Sequence, residues 1–301
     1  MTFAQFYRLS RPRTLTAAFS PVILGSAYAS IMHESIHPWW LTLIYVLMIL
    51  FCVMSAQIAA NIWNEYFDFK SGLDLNQVIG NSGAIVREGI SPSHIKRLGY
   101  IFTIAPLVLG ILLAAAITWW FIPIGAICIL ISLFYSGGPK PISRTPYGEL
   151  ASGVAMGFSI VCITAYTITG QVYGDFLIPA IPSTILIGNI MMTNNLRDFS
   201  NDQQYGRRTL VILLGKDKGI QLLRSLFLFC SAWLILWILL GYLPYASALG
   251  IISLIPAFKS ASILNRYADP LMTNQAMKFT SISVTLYHLL ISIGIVIAYF
   301  I

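Results

Sequence analysis

The chain has 301 residues, of which 57% are hydrophobic and only 10% charged. A soluble domain carries about a quarter charged residues, so a water-soluble globule and a disordered tail are both excluded, and four cysteines are too few for a disulfide scaffold. A net charge of +7 would point to nucleic acid in a soluble protein; here the expected partner is the lipid bilayer, and no nucleic acid is expected.

A membrane helix needs about 20 mostly apolar residues. Residues 14–32 and 39–62 contain no Asp, Glu, Lys or Arg, and neither does 98–139, which has room for two spans with a turn near Trp119. Windows at 150–174 and 176–196 meet at Asp175. The next run starts near Gly219, passes Arg224 and breaks at Gly241-Tyr242-Leu243-Pro244 into two helices that end before Lys259. A last window covers 279–301. The expectation is all-α: one transmembrane domain over 1–301, a polytopic bundle of nine helices.

The cations support that count. Lys and Arg are retained on the cytoplasmic side of a membrane, so correct spans should gather them in alternate connections. Arg8, Arg11 and Arg13 precede the first span. Lys70, Arg87, Lys96 and Arg97 follow the second, and Lys140 and Arg144 follow the fourth. Arg197, Arg207, Arg208, Lys216, Lys218 and Arg224 follow the sixth, and Lys259, Arg266 and Lys278 lie before the last. These are all 18 cations in the chain. The opposite links, such as 33–38 and 171–175, hold none. The N-terminus is therefore expected in the cytoplasm and the C-terminus outside, in a multi-pass protein of the cell membrane. No small-residue cleavage site follows the first apolar run, which reads as a span rather than a signal peptide.

Cys52, Cys128, Cys162 and Cys230 all fall in apolar windows without paired spacing and read as small buried hydrophobes. His33 and His37 sit at helical spacing on an external link without acidic partners and read as interfacial, not as metal ligands. His288 lies within the last span, where a neutral, hydrogen-bonded imidazole is expected.

Two long polar connections, 61–97 and 194–218, interrupt otherwise short links, and long ordered loops usually carry function. Each opens with the same pattern, Asn64-Glu65-Tyr66-Phe67-Asp68 and Asn194-Asn195-Leu196-Arg197-Asp198, at the ends of spans two and six. Residues four apart share a helix face, so Asn64 points with Asp68, and Asn194 with Asp198 and Asp202. Gly72 allows the chain to turn Asp74 back towards Asp68. Like charges beside hydrocarbon repel unless a cation sits between them. Magnesium suits that place, since it takes one or two carboxylates and completes its shell with waters and phosphate oxygens. Lys70 and Arg87 flank the first cluster; Arg197, Arg207 and Arg208 surround the second. Carboxylates, magnesium and arginines together make a diphosphate site. Because it opens into a membrane bundle, a polyprenyl diphosphate is the expected class of ligand.

The ordered motifs resemble the UbiA-type intramembrane prenyltransferase superfamily, and within it the 1,4-dihydroxy-2-naphthoate polyprenyltransferases of menaquinone synthesis. They are Arg11-Pro12-Arg13-Thr14-Leu15 with Pro21 to Gly25, Asn64 to Asp68 through Asp74, Tyr135-Ser136-Gly137-Gly138-Pro139 leading to Gly148-Glu149-Leu150, and Asn194 to Asp198 through Asp202, Gly206 and Arg208-Thr209-Leu210. Glu65 and Arg207 depart from the usual Asp and Lys but keep the charge; arginine binds diphosphate in a more forked geometry than lysine. Lys140 and Arg144, just beyond Tyr135, are in reach of the diphosphate or the acceptor carboxylate, or serve topology alone.

The resemblance implies electrophilic alkylation of an aromatic ring. Asp68, Asp74, Asp198 and Asp202 would hold magnesium on an allylic diphosphate, with Asn64 and Asn194 beside them. The loosened allylic cation would then be attacked by a hydroxylated ring, the carboxylate of 1,4-dihydroxy-2-naphthoate leaving as carbon dioxide. Tyr135 and Glu149 are candidate acceptor-site groups. No cation-stabilising ring stands out among 17 Phe, 15 Tyr and 7 Trp. A 4-hydroxybenzoate prenyltransferase is the nearest alternative. A small-solute transporter would place ionisable groups at the bilayer midplane, and an alcohol phosphotransferase would carry its aspartates on one helix.

Overall fold

In hydrocarbon every backbone N–H and C=O must be satisfied within the chain, which leaves the apolar windows little alternative to the helix. The computed structural model describes residues 1–70, 72, 83–267 and 269–301, and every regular element among them is helical. In order these are α1 (Phe3–Leu9), α2 (Pro12–Met32), α3 (Trp39–Lys70), α4 (Pro92–Ala116), α5 (Phe121–Ser136), α6 (Gly148–Thr169), α7 (Gly174–Arg197), α8 (Phe199–Gln204), α9 (Leu210–Leu214), α10 (Lys216–Leu239), α11 (Tyr245–Arg266) and α12 (Pro270–Phe300). Among the described residues eight helices are long and apolar enough to cross a membrane. The expected count of nine is met only by including α5, whose 16 residues rise about 24 Å against a hydrocarbon core of about 30 Å.

Local chemistry sets the helix starts. Ser91 Oγ accepts the N–H of His94 at 3.3 Å ahead of Pro92 in the first turn of α4. Asp269 accepts the N–H of Leu271 at 3.0 Å and caps α12. Both follow the usual division of labour at a helix N-terminus, a short polar cap followed by proline.

Helix α2 lies against α3, α6, α7 and α12, so the first span is a central post rather than an outer stave. The largest apolar core joins α2, α7, α10, α11 and α12 through residues such as Leu24, Ile187, Leu223, Ala261 and Val284. A second core joins α2, α3, α4, α5 and α6. Helices α6 and α7 meet backbone to backbone. A Cβ added at Gly157 would stand 2.6 Å from both Ser183 O and Thr184 Cα, so only glycine permits the approach. Across the same contact one turn of α6, Gly153–Phe158, is wound as a π-helix, a widened turn that often marks a functional site.

At the end of the bundle holding the 33–38 link, the structure corrects the reading of His33. Its Nε2 lies 3.0 Å from Asp175 Oδ2, which also accepts a hydrogen bond from the Tyr28 hydroxyl at 3.1 Å. Tyr173 covers the imidazole at 4.2 Å between ring centroids. The acidic partner was invisible in sequence because it arrives from 142 residues away. His288 meets its expectation: Nδ1 is 2.8 Å from Ser20 Oγ in the bundle interior. Cys230 is buried as expected, whereas Cys52, Cys128 and Cys162 are half-buried.

Candidate active site

A cavity of about 170 Å³ opens among α2, α3, α5, α6, α7 and α12. Asn64 and Asn194 both face it, at the C-terminal ends of α3 and α7, so the two repeated motifs converge on one space. Deeper walls are apolar and mostly slender: Ala17, Ala56, Ala60, Cys128, Ala155, Met156 and Ile187. Tyr135 is the one aromatic side chain among the described lining residues, which narrows the open question about the aromatic wall.

The first motif closes α3. Asn64 Oδ1 accepts a hydrogen bond from Ser136 Oγ at the end of α5. Asp68 lies one turn on; the charges of Arg207, Arg11 and Arg144 attract it, and Glu65 opposes it. Gly72 has φ +75, a left-handed turn of the sort needed to redirect the chain there; Asp74 itself lies outside the described residues. Glu65 is fully buried, 3.7 Å from the Arg11 guanidinium, and accepts the N–H of Ile85 at 3.3 Å. It ties the connection after α3 to the start of α2.

The second motif is bound up with arginines. Arg197 donates to both oxygens of Asp198, at 2.8 and 2.6 Å, and to Asn194 Oδ1 at 2.7 Å. Its remaining nitrogen reaches Asn274 of α12 at 3.4 Å. Helix α7 ends at Asp198, yet the N–H of Asp202 still bonds to Asp198 O at 2.9 Å, so the four-residue spacing survives the change of helix. Asp202 is buried and paired with Arg207 at 3.2 Å. Burial lifts its carboxyl to about 6, against the lowering pull of Arg207, with the Asp198 charge adding to the rise. Arg207 therefore faces both clusters, holding Asp202 while its charge acts on Asp68.

The other expected cations divide. Arg144 is tied to the second connection, its carbonyl accepting the N–H of Arg208 at 3.1 Å, and its charge acts on Asp68. The side chains of Lys70, Lys140 and Arg208 are exposed and do not line the cavity. The Arg87 guanidinium folds over Gly83 instead of reaching the cavity. Glu149 is buried behind the lining, where Asn195 donates to its Oε1 at 2.9 Å, and its charge acts on Tyr135. Sequence reasoning missed Arg11, Thr14, Gln57 and Asn61 as cavity residues. The only signal for Arg11 was its place in a motif also explained by topology.

Among the described residues no three His, Cys, Asp or Glu groups stand close enough to enclose a metal. The donor set nonetheless fits magnesium. Asp202 Oδ1 is buried with no hydrogen bond, only the Arg207 charge 3.2 Å away, Asp68 lies within electrostatic reach of the same Arg207, and magnesium needs only one or two carboxylates when phosphate completes its shell.

Residues 16–282 match the UbiA prenyltransferase family. The chain belongs to that family. It is 35% identical to the 1,4-dihydroxy-2-naphthoate octaprenyltransferase of Bacillus subtilis, covering 98% of this chain and 93% of that one. The enzyme of the same name from Mycobacterium tuberculosis is 32% identical over 75% of each chain. Among solved structures of UbiA homologues, the one from Archaeoglobus fulgidus bound to GPP and Mg2+ superposes with a TM-score of 0.65 at 16% identity, over 96% of this chain and 99% of that. The apo homologue from Aeropyrum pernix gives 0.69 at 13%, over 95% and 97%. The UbiA fold thus extends over nearly the whole chain.

Proposed function

We propose that this chain transfers a polyprenyl group from a polyprenyl diphosphate to 1,4-dihydroxy-2-naphthoate, releasing diphosphate and carbon dioxide to give demethylmenaquinol. The observation that carries the reading is the convergence of Asn64 and Asn194 on one apolar cavity, with Arg207 paired to Asp202 and acting on Asp68 behind the lining, where Arg207 and Asp202 also act on Tyr135. The relatives' shared name supports the acceptor, and the Mg2+ and GPP bound by the Archaeoglobus fulgidus homologue support the cofactor and donor classes.

In this reading Asp68, Asp198 and Asp202 are the metal ligands among the described residues, with Asp74 beyond them. Magnesium bound there would neutralise diphosphate oxygens as the carbon–oxygen bond breaks. Arg207 and Arg197 rest on Asp202 and Asp198, and both exchange part of that pairing for diphosphate oxygens when the donor arrives. Such donors, aimed at charge that grows in the transition state, lower the barrier most effectively in a water-excluded site. Tyr135 presents the cavity's ring to the allylic carbon and the acceptor. Glu149, held by Asn195, stands behind Tyr135 as the acceptor-side acid. The apolar lower walls exclude water, which would otherwise capture the cation. In this reading nine spans, counting α5, would carry the two termini to opposite sides, and the one-sided Lys and Arg support a cytoplasmic N-terminus and site in the cell membrane, with the C-terminus outside.

Purified protein supplied with a polyprenyl diphosphate and magnesium should prenylate 1,4-dihydroxy-2-naphthoate, with the product identified by mass and labelled carboxyl carbon recovered as carbon dioxide. Preference for 4-hydroxybenzoate would overturn the acceptor while leaving prenyl transfer intact.

A further inference from the structure

One cation has no part in the cavity. Arg224 lies about 12 Å along α10 from Lys216 and is the one charged residue of that span beyond Lys218. Its Nε is buried without a hydrogen-bond partner, and among the described residues no carboxylate pairs with it. Asp217, two turns nearer the start of the helix, is exposed. A guanidinium does not shed its proton, so a span that keeps one must find it an anion or water. Side chains on a helix lean towards its N-terminus, which sends Arg224 towards the polar end of the bundle, where α10 begins.

The face that carries it borders the outer seam between α10 and α11. Gly219 and Cys230 of α10 turn to Leu196 and Pro182 of α7, and Leu234 turns to Gly250 of α11. Further round α10 in the same sense come Arg224 and then the exposed Leu228 and Gln221. Helix α11 answers with Phe258, Ser262 and Asn265, spaced four and three apart and all exposed. The contact of Leu234 with Gly250 also sets the register of this antiparallel hairpin. Arg224 is about 15 Å from Leu234 along α10, and Phe258 is about 14 Å from Gly250 along α11. The two are level, and the guanidinium leans on to the height of Ser262. The seam thus has polar groups towards one end and the apolar Leu228 and Phe258 beneath them, the profile of an amphiphile with an anionic head.

We propose that the seam between α10 and α11 is a binding site for an anionic phospholipid, with its phosphate on Arg224 and an acyl chain along Leu228 and Phe258. The guanidinium fork matches two phosphate oxygens, and phosphate is the anion that a bilayer itself supplies at headgroup depth. A lipid with an amine beside its phosphate brings its own counter-charge, so phosphatidylglycerol should bind in preference to phosphatidylcholine. The site is separate from the cavity, which α10 does not line.

The test is native mass spectrometry of the full chain released from nanodiscs of equal phosphatidylglycerol and phosphatidylcholine, which counts the lipids retained. The unmodified protein should keep one phosphatidylglycerol in preference to phosphatidylcholine. Arg224→Gln should weaken that retention roughly tenfold or more, as the loss of a charge-assisted contact does. Ser262→Trp fills the seam but keeps the arginine; it should lose the lipid equally, and it decides the matter if Arg224→Gln does not fold. Lys218→Gln removes a cation from another, exposed face of the same helix and should retain the lipid as the unmodified protein does. Equal losses in Arg224→Gln and Lys218→Gln would overturn the site, leaving only the attraction of a basic surface for anionic lipid. Equal retention of the two lipids by the unmodified protein would also overturn it. So would thermal stabilisation by inorganic phosphate as large as that by phosphatidylglycerol vesicles, which would assign Arg224 to a free anion.

Discussion

Arg197 grips the carboxylate of its own neighbour, Asp198, through hydrogen bonds of 2.8 and 2.6 Å. From sequence alone the two residues have separate tasks, one on diphosphate and one on magnesium. In the folded chain each neutralises the other until a ligand competes, and Arg197 is also fastened to Asn194 and Asn274.

This pairing separates two substitutions that sequence would treat alike. Asp68→Asn and Asp198→Asn should each lower turnover about a hundredfold, the loss of roughly 3 kcal/mol typical of an electrostatic contact made in the transition state. Their stabilities should differ. Asp198→Asn leaves the Arg197 guanidinium buried without its charge partner, a loss of about 3 kcal/mol or more, whereas Asp68 sits among several cations and its neutralisation should cost less. Thermal unfolding and turnover against magnesium concentration check both. Near-normal turnover in both variants at low magnesium would remove these aspartates from the site.

Asp175 serves the opposite end of the bundle. It accepts from Tyr28 and lies 3.0 Å from His33, so it clamps α2 to the start of α7. Asp175→Asn should lower stability by about 1 kcal/mol, the usual net worth of such a bond, with kcat within twofold of the unmodified protein. A large fall in kcat at unchanged stability would tie this cluster to the chemistry.

Sequence periodicity made the two Asn-x-x-x-Asp motifs legible, because a four-residue spacing reports one helix face wherever the helix lies. It also located the apolar windows, since a span is a local property of composition. The partners were not local. Asn61 reaches Ser10 and Thr14, Asn195 reaches Glu149, and Arg197 reaches Asn274 across 51, 47, 46 and 77 residues. No spacing rule covers such contacts. Nor could composition single out Tyr135 among so many rings, because only the helix ring decides which of them faces inward.

Orientation is open to direct measurement. The one-sided cations predict that the connection after α3 is cytoplasmic and the link before α3 external. Gly89 has φ +67, so a cysteine there would strain the backbone; the exposed Ser93 is the better probe, with the exposed Ser35 as its counterpart. In intact cells an impermeant thiol reagent should label Ser35→Cys and spare Ser93→Cys. The reverse pattern would put the polar end of the cavity outside.

Arg11 carries a strain that a neighbouring helix sustains. Its φ of 50 is the one positive value at a non-glycine among the described residues, and it precedes Pro12, which further restricts its backbone. A left-handed non-glycine residue costs about 1–3 kcal/mol and persists only where its surroundings hold it. Asn61, buried in α3, supplies that hold: its amide donates to Ser10 O at 2.8 Å and to Thr14 Oγ1 at 2.9 Å, while Thr14 donates to Arg11 O at 2.9 Å. The result is a guanidinium held at the cavity wall beside Glu65. Asn61→Ala should lower stability by about 1–3 kcal/mol by leaving a buried carbonyl unpaired, and should raise KM for the donor as Arg11 relaxes away from the cavity. Arg11→Gly should relieve the strain but take the guanidinium away from the buried Glu65 carboxylate, so stability should fall by about 3 kcal/mol rather than rise, while KM rises as strongly. A loss of stability in Asn61→Ala with KM unchanged would make the clamp purely structural.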